Sequence, residues 1–332
     1  MRRPLVILVT LIAAAATIAG CGGSSGGSSD APRTATLVLD FTPNPVHVGI
    51  YTALAHHFDT AAGVRLHVIA PSASTDSIRL LETGRADFAI LDIHDLAIAR
   101  ARGENIVAIL PIVERPLASV IAAPAVTTPR QLIGRTVGVS GAPSDTAVLD
   151  SIVAGAGGLP KQLKTITIGF NAVSDLLAGK VAGATAFWND EGVTLHRQRP
   201  GFHVFRVENY GAPSYPELVL CATAKSVKAH PALARGVVKA LVRGYDLALA
   251  QPAAGQRALE SQVPGLNHAL DTAELSGLAA AFRGPEGHFG VFDTALLQRW
   301  AAWEARFGIV KAPPDTATMF LTAFAPTAPG SS

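Results

Sequence analysis

The residues best suited to bind a small polar molecule follow an apolar segment that ends at Phe187 and Trp188. Asn189, Asp190 and Glu191 come next, and a loop at the end of a strand would present them together. An amide and a carboxylate can accept and donate hydrogen bonds along the edge of an amino-heterocycle. The stretch predicts ligand contacts from Trp188, Asn189 and Glu191. The alternative is that Asn189 or Asp190 only caps the next helix.

A second group of candidates lies near the start of the chain. The apolar segment Thr36–Phe41 predicts a strand, Asn44 has the chemistry of an N-cap, and Pro45 suits the first position of a helix. Phe41, Asn44 and His47 would then surround a helix N-terminus, which offers free N–H groups and a positive dipole. An aromatic face, an amide and an imidazole predict a pocket for a small planar polar molecule.

Two further pairs of residues could belong to the same site. Asp92 and His94 stand two positions apart at the end of a predicted strand, so they share a face. They either contact a ligand or form a hydrogen-bonded pair at the wall of the site. Tyr210 and Tyr215 flank a turn, where Tyr215 is a candidate for ligand contact and either ring could instead pack over a hinge.

Ser140 lies in a stretch that resembles the turn carrying a nucleophilic serine. A strand, a tight turn and a helix are predicted, but Gly-x-Ser-x-Gly is incomplete because residue 142 is alanine. Ser140 is therefore expected to offer hydroxyl and backbone donors to a ligand rather than to attack it.

No cofactor or metal is expected from sequence motifs. The ten histidines contain no His-Glu-x-x-His pattern, and no phosphate-binding or dinucleotide fingerprint occurs. The adjacent His56 and His57 point in different directions on a helix and predict a solvated helix end.

Alternating strand and helix patterns predict parallel sheets covered by helices, with ligands bound beyond the C-terminal ends of the strands. The predicted helices are 45–58, 76–82, 95–102, 227–249 and 294–307, and the predicted strands are 36–41, 64–70, 86–91 and 106–113.

Two similar helix-to-strand junctions, at Gly84 and Gly179, suggest two similarly built lobes. Extended runs at 117–123 and 217–223 would cross between the lobes and form a hinge of two segments. Residues 35–123 and 218–325 are predicted to form lobe 1, and residues 124–217 lobe 2.

The N-terminus has the pattern of a secretion signal. Arg2 and Arg3 precede an apolar run from Leu5 to Ala19, and Thr17–Cys21 resembles a bacterial lipobox. Residues 1–20 are therefore predicted to be a lipoprotein signal peptide, Cys21 the lipidated residue, and residues 21–34 a flexible tether. A plain secretion signal or an N-terminal anchor helix is the alternative.

Charge and cysteine content exclude some classes. The chain has 27 basic and 25 acidic side chains, and removal of Arg2 and Arg3 with the signal peptide would balance them. This balance gives no support for nucleic-acid binding. Cys221 would be the only cysteine beyond Cys21, so it predicts a buried small hydrophobe rather than a disulfide.

Four ordered motifs carry a family resemblance that covers residues 36–310. The chain resembles periplasmic solute-binding proteins of the thiamine-pyrimidine type, which are relatives of the fungal hydroxymethylpyrimidine phosphate synthase. The motifs are Asp40–Gly49, Gly84–Ile90, Gly169–Glu191 and Gly211–Leu218.

The resemblance implies an α/β type II periplasmic-binding-protein fold. It also implies that the ligand is delivered to the permease of an ABC importer. The protein is expected to be a monomer, and the lipobox-like Thr17–Cys21 predicts an anchor at Cys21 on the extracytoplasmic face of the membrane. By position, Phe41 takes the place of a stacking tryptophan, Asn44 and His47 form the polar turn, and Glu191 is the carboxylate that contacts the pyrimidine. Phenylalanine for tryptophan is a departure from the pattern, as is the segment Asp92–His94.

The expected ligand is hydroxymethylpyrimidine or formylaminopyrimidine. Three alternatives stay open: another ligand on the same scaffold, an enzyme, and a surface lipoprotein. The scaffold could bind a sulfonate, a flavin or an aromatic acid, although the motifs contain no cation beyond Arg85 and Lys180. A pyrimidine-synthesising enzyme is disfavoured because the cysteine-rich iron-associated motif of the fungal relative is missing. A surface lipoprotein that senses or adheres would need an exposed apolar patch.

Overall fold

The computed structural model describes residues 31–284 and 287–327. The predicted signal peptide, the lipidation of Cys21 and most of the predicted tether fall outside these residues. None of the helices in the described ranges has the length and apolar character needed to cross a membrane.

Two five-stranded sheets form the centres of two lobes. The first sheet has the order β2-β1-β3-β10-β4 and the second the order β7-β6-β8-β5-β9. The strands are β1 Arg33–Val38, β2 Val64–Ile69, β3 Phe88–Asp92, β4 Ile106–Val113, β5 Ala118–Ala122, β6 Thr136–Val139, β7 Lys164–Thr167, β8 Gly183–Phe187, β9 His203–Arg206 and β10 Leu218–Thr223.

Helices cover both sheets. In the described residues they are α1 Val48–Ala55, α2 Phe58–Ala61, α3 Asp76–Glu82, α4 Ile93–Ala101, α5 Asp145–Gly155, α6 Ala172–Leu177, α7 Glu191–Gln198, α8 Ala224–Ala229, α9 Pro231–Ala250, α10 Pro252–Gln262, α11 His268–Leu278, α12 Thr294–Arg306 and α13 Thr316–Met319.

The first helix begins as predicted but is interrupted. Asn44 caps a short 3-10 turn, Pro45–His47, and its side chain accepts a hydrogen bond from the Val46 N–H at 2.8 Å. Helix α1 ends at Ala55, and His57 adopts a left-handed conformation with φ of 54°. The exposed His56 and His57 confirm the predicted solvated helix end.

The predicted helix 227–249 is two helices, because Pro231 lacks the N–H that would continue α8 and instead starts α9. Helix α9 packs closely on α1. A Cβ on Gly244 would lie 2.1 Å from the Gly49 carbonyl oxygen, so only glycine permits this approach.

The prediction of parallel sheets was wrong for the strands that reach the hinge. β10 runs antiparallel to β3 and β4, and β5 runs antiparallel to β8 and β9. The reason is topological: each of these strands follows a crossing from the other lobe and enters its sheet from the opposite end. Cys221 lies within β10 and is fully buried, as predicted.

Two boundaries in the structure differ from the predicted ones. Strand β5 pairs in the second sheet, so the first crossing falls between Val113 and Ala118 rather than after residue 123. An apolar strand such as β5 carries no sequence signal for which sheet it joins. Arg33 and Thr34 were predicted to belong to the tether, but they pair in β1 with Val64 and Arg65. The assignment of the lobes as domains stays a prediction.

Candidate functional site

A cleft lies between the two lobes, at the ends of their strands. Its empty space, including the part open to solvent, is about 850 Å³. The lining combines carboxylates, hydroxyls and aromatic rings from both lobes. Lobe 1 contributes Asp40, Phe41, Ser74, Ser77, Ile78, Ile90, Leu91, Asp92, Asp95 and Leu218, and lobe 2 contributes Ala118, Ser119, Ser140, Ala142, Ser144, Asp145, Val148, Phe170, Thr185, Ala186, Phe187 and Glu191.

Direct contacts join the lobes around the cleft. The Asn44 Nδ2 donates to Asp190 Oδ2 at 2.8 Å, and the Ser144 N–H donates to Asp95 Oδ1 at 2.9 Å. The rings of Phe41 and Phe170 meet edge to face, with centroids 4.4 Å apart. The cleft is therefore bounded by polar contacts and by an aromatic pair.

The lining carries carboxylates without cations. Within the described part of the chain, no lysine, arginine or histidine lines the cleft. Its acidic residues are Asp40, Asp92, Asp95, Asp145 and Glu191. Burial is the main cause that raises the pKa of Asp95 and of Glu191, each to about 8. A carboxyl group with such a pKa can hold its proton near neutral pH and donate a hydrogen bond.

Asp145 organises the turn that contains Ser140. It accepts hydrogen bonds from the Ser140 hydroxyl at 2.9 Å, from the N–H groups of Gly141 and Ala142 at 2.7 and 3.0 Å, and from the Thr185 hydroxyl at 3.2 Å. The Ser140 hydroxyl therefore donates to a carboxylate instead of to an imidazole base.

Glu191 stands at the start of α7 and faces the cleft. Its Oε2 accepts the Phe187 N–H at 3.0 Å, which holds the side chain against the end of β8. Burial, and then the charge of Asp190, raise the pKa of Glu191. No side chain of another described residue is hydrogen-bonded to the Glu191 carboxyl group, so the group can meet a ligand.

Four of the predicted site residues line the cleft: Phe41, Asp92, Ser140 and Glu191. Asn44 and His47 lie behind it. The His47 Nδ1 accepts the Asn44 N–H at 3.2 Å, and its Nε2 lies 2.9 Å from Asp40 Oδ1. His47 is fully buried and reaches the cleft only through Asp40, so both residues shape the turn.

The remaining predicted residues lie outside the lining. Trp188 Nε1 donates to the Pro116 carbonyl at 3.0 Å, and the Arg206 guanidinium lies 3.8 Å from a Trp188 ring centroid. Asn189 is fully buried, and its amide atoms have no hydrogen-bond partner among the described residues. His94 and Tyr215 are buried at the hinge, with ring centroids 4.7 Å apart. The direct ligand roles of these residues stay predictions.

Sequence reasoning missed several lining residues, chiefly Asp40, Ser77, Asp95, Asp145 and Phe170. Three of them had a signal nearby, since Asp40 is the first residue of the motif Asp40–Gly49. Asp145 follows the turn of Ser140, and Phe170 lies inside one of the family motifs. Asp95 is hydrogen-bonded to Ser144 of the other lobe, a pairing that no local pattern encodes.

One cluster beside the cleft has the composition of a metal site. Asp92, His94 and Glu217 each offer one ligand atom, and these atoms lie within 4.8 Å of one another. Asp92 also lines the cleft, so the cluster and the cleft adjoin.

Two α/β lobes, two crossing strands and a cleft between the lobes define the fold of the periplasmic solute-binding proteins. The structure matches the alkanesulfonate-binding protein SsuA from Xanthomonas axonopodis pv. citri, bound to MOPS, with a TM-score of 0.67 and 14% identity over 90% of this chain and 99% of that chain. The predicted fold class is therefore confirmed.

The chain belongs to the NMT1/THI5-like family, because the model of that family matches residues 44–255. It is similar to a formylaminopyrimidine-binding protein from Halalkalibacterium halodurans, with 26% identity over 89% of this chain and 92% of that protein. It is also similar to a 4-amino-5-hydroxymethyl-2-methylpyrimidine phosphate synthase, THI12, from Saccharomyces cerevisiae, with 22% identity over 84% of each chain. The predicted family is confirmed, and family, fold and cleft support a solute-binding role.

Proposed function

We propose that this protein captures a thiamine-precursor pyrimidine, hydroxymethylpyrimidine or formylaminopyrimidine, between its lobes. The observation that carries the proposal is the chemistry of the cleft, whose lining has five carboxylates and two facing phenylalanines. An aminopyrimidine is planar and carries amino donors beside ring-nitrogen acceptors. A lining of carboxyl groups, hydroxyls and aromatic rings is complementary to that pattern.

Glu191 is the residue we assign to the edge of the pyrimidine. A protonated carboxyl can donate to a ring nitrogen or accept from an exocyclic amine. The raised pKa of Glu191, about 8, keeps the donating form available at neutral pH. Phe41 or Phe170 would supply the face against which the ring packs, since both rings line the cleft.

The charge of the lining argues against the main alternative cargoes. A sulfonate or an aromatic carboxylate needs a cation or several N–H donors to offset its charge. Among the described residues that line the cleft, none is Lys, Arg or His. The likeness to SsuA concerns the fold at 14% identity, so it does not favour a sulfonate here. A flavin is left as the alternative that the charge argument does not address.

The cellular role follows the same proposal. We infer that the protein serves an ABC importer as its substrate-binding component, contacts the permease as a monomer, and is held on the extracytoplasmic face of the membrane by lipid at Cys21. The lipobox-like Thr17–Cys21 and the resemblance to binding proteins of this class support this role. Mass spectrometry of the membrane-extracted protein would test the anchor, with Cys21→Ser as the unlipidated control.

A synthase is the second candidate, because the yeast relative carries that name. In the described part of the chain the only cysteine is Cys221, which is fully buried in β10 and so is placed away from the cleft. Only Cys21 and Cys221 occur in the whole sequence, so a cysteine-rich iron motif cannot be built from it. Binding without turnover is therefore the expected behaviour.

Calorimetric titration with hydroxymethylpyrimidine, formylaminopyrimidine and an alkanesulfonate tests the proposal. We expect one site for a pyrimidine and no heat with the sulfonate. Glu191→Gln should weaken pyrimidine binding by about 10- to 100-fold, because a buried donor or acceptor that is left without its partner costs about 1–3 kcal/mol. Glu82→Gln, which changes an exposed glutamate at the end of α3, is the matched control. Binding of the sulfonate alone would contradict the proposed pyrimidine ligand without affecting the assignment of the fold.

A further inference from the structure

A buried cluster of polar side chains lies at the hinge, next to the cleft. Asp92 is the last residue of β3 and caps α4, His94 lies in the first turn of α4, and Glu217 directly precedes β10. His94 and Glu217 are fully buried. One ligand atom from each of the three residues lies within 4.8 Å of the others. The cluster therefore joins lobe 1 to the second crossing segment.

Backbone donors hold one oxygen of each carboxylate, and the carboxyl groups of Asp92 and Glu217 face each other. Asp92 Oδ1 accepts the His94 N–H at 2.7 Å. Glu217 Oε2 accepts the N–H groups of Leu117, in the first crossing segment, and of Ala118, the first residue of β5. The other oxygen of Glu217, Oε1, has no hydrogen-bond partner among the described residues. Both crossing segments thus fix the orientation of Glu217.

One ring nitrogen of His94 likewise has a partner in the protein, and the other has none among the described residues. Its Nδ1 lies within hydrogen-bond distance of Glu304, which is itself fully buried on α12, and of the Trp300 indole nitrogen. The Trp300 indole N–H can only donate, so its contact and the Glu304 contact require opposite tautomers of His94. With the proton on Nδ1, the imidazole donates to the Glu304 carboxylate, which is the stronger partner because it is ionised. The Nε2 of His94 is buried with no partner in the described residues. A histidine that donates from Nδ1 to a carboxylate presents the lone pair of Nε2, as metal-bound histidines commonly do.

We propose that Asp92, His94 and Glu217 bind a divalent transition-metal ion at the hinge, with Glu304 as the residue that orients His94. One imidazole nitrogen and two carboxylate oxygens form a ligand set that suits Zn²⁺ or Mn²⁺. Three protein ligands leave a coordination position for water or for a group in the cleft. A cation there would also offset the charge of carboxylates that burial otherwise destabilises.

The arrangement gives the ion a route into the site and couples it to both lobes. Asp92 lines the cleft, so an ion can enter from the ligand side. Glu217 contacts both crossing segments, so an ion bound to it would tie the hinge to α4. This site goes beyond pyrimidine binding, and its test does not depend on the identity of the cleft ligand.

The test uses the full chain, purified in detergent, stripped with a chelator and equilibrated with Zn²⁺ or Mn²⁺. We expect about one equivalent of metal by elemental analysis. Asp92→Asn, His94→Gln and Glu217→Gln should each lower the affinity at least tenfold, and Glu304→Gln should lower it by about 10- to 100-fold through the orientation of His94. His268→Gln, which changes an exposed histidine that pairs with Glu260, is the matched control and should bind like the wild type.

Two readouts keep the result independent of folding of the variants. Circular dichroism reports whether each buried variant is folded, and the visible absorption of Co²⁺ in the unaltered chain reports nitrogen and oxygen ligation directly. Substoichiometric metal in the wild type, or unchanged affinity in all of the folded variants, would overturn the site. His94 would then be an imidazolium held among carboxylates. Metal binding without pyrimidine binding would support this site and contradict the proposed pyrimidine ligand.

Discussion

The cleft and the hinge use buried carboxylates in two different ways. In the cleft, Asp145 is bonded on both oxygens, and Glu191 is bonded on one and presents the other to the ligand space. At the hinge, Glu217 and Glu304 face a single buried histidine, His94. Burial of an acid therefore does not identify its role, because the role depends on what its second oxygen faces.

The difference between hinge acids and cleft acids should be largest in the free energy of unfolding. A hinge acid that is removed leaves the buried His94 without its partner, whereas a cleft acid borders a space that ligand or water can enter. We therefore expect hinge substitutions to act mainly on folding and cleft substitutions mainly on binding. The following predictions test that division.

The largest effect is expected for Glu304→Ala. Removal of one partner from a buried ion pair typically costs about 3–5 kcal/mol in the free energy of unfolding. His94 and Glu304 are both fully buried, so this range applies. Urea unfolding of the metal-free protein measures the change.

The exposed pair of His268 and Glu260 provides the matched control for Glu304→Ala. The His268 side chain is 73% exposed, so Glu260→Gln should change the free energy of unfolding by less than about 1 kcal/mol. Equal losses for Glu304→Ala and Glu260→Gln would contradict the distinction between the buried and the exposed pair.

The next effect concerns pH and Glu191. Its pKa is raised from 4.5 to about 8 in the folded protein, so the folded state holds this proton more tightly than the unfolded chain. The resulting stability is fully present below a pH of about 4.5 and is lost as pH rises towards about 8. The acids that act on Glu191 are Asp190, Asp145 and Glu274.

Urea unfolding of the ligand-free protein at several pH values between about 5 and 8 measures this loss. Glu191→Gln should reduce the dependence, because its side chain does not titrate, and Asp95, whose pKa is also raised to about 8, should account for part of the remainder. We expect a smaller effect than at the hinge, since Glu191 is partly exposed to the cleft and water screens it. An unchanged slope in the variant would show that Glu191 does not contribute to the pH dependence.

The smallest effect is expected from the aromatic pair. Phe41→Leu should weaken pyrimidine binding by about 0.5–1.5 kcal/mol, the usual contribution of an aromatic contact beyond buried area, because leucine keeps an apolar side chain but lacks the ring. Phe41→Trp should bind at least as tightly, because the larger ring restores the stacking residue implied by the family pattern. Calorimetry measures both variants, and metal content should be the same in each. A weaker Phe41→Trp variant would indicate that the cleft is adapted to phenylalanine.

Local signals in the sequence predicted much of the fold. Helix α3 and strand β4 begin and end as predicted, and the Asn44 cap and Pro45 lie at the expected start of a helical turn. These features depend on neighbouring residues, which a single sequence displays directly. The direction of β5 and β10 was missed, because an apolar strand does not record the end from which it enters a sheet.

The same dependence on local signals explains which site residues were predicted correctly. Phe41, Asp92, Ser140 and Glu191 stand at strand ends and line the cleft, as strand-end positions indicate. His94 is two residues from Asp92, yet the start of α4 turns it away from the cleft and towards Glu304, which lies far along the chain. Spacing along a strand could not reveal this turn.

The sequence by itself determined the family, the alternation of strands and helices, and the chemical types of residue available at the strand ends. Only the tertiary structure decided which of these residues face the cleft and which face the hinge. The physical reason is that orientation depends on contacts between distant segments, such as Ser144 with Asp95 and Glu217 with Leu117. Such contacts exist only after the two lobes have packed together.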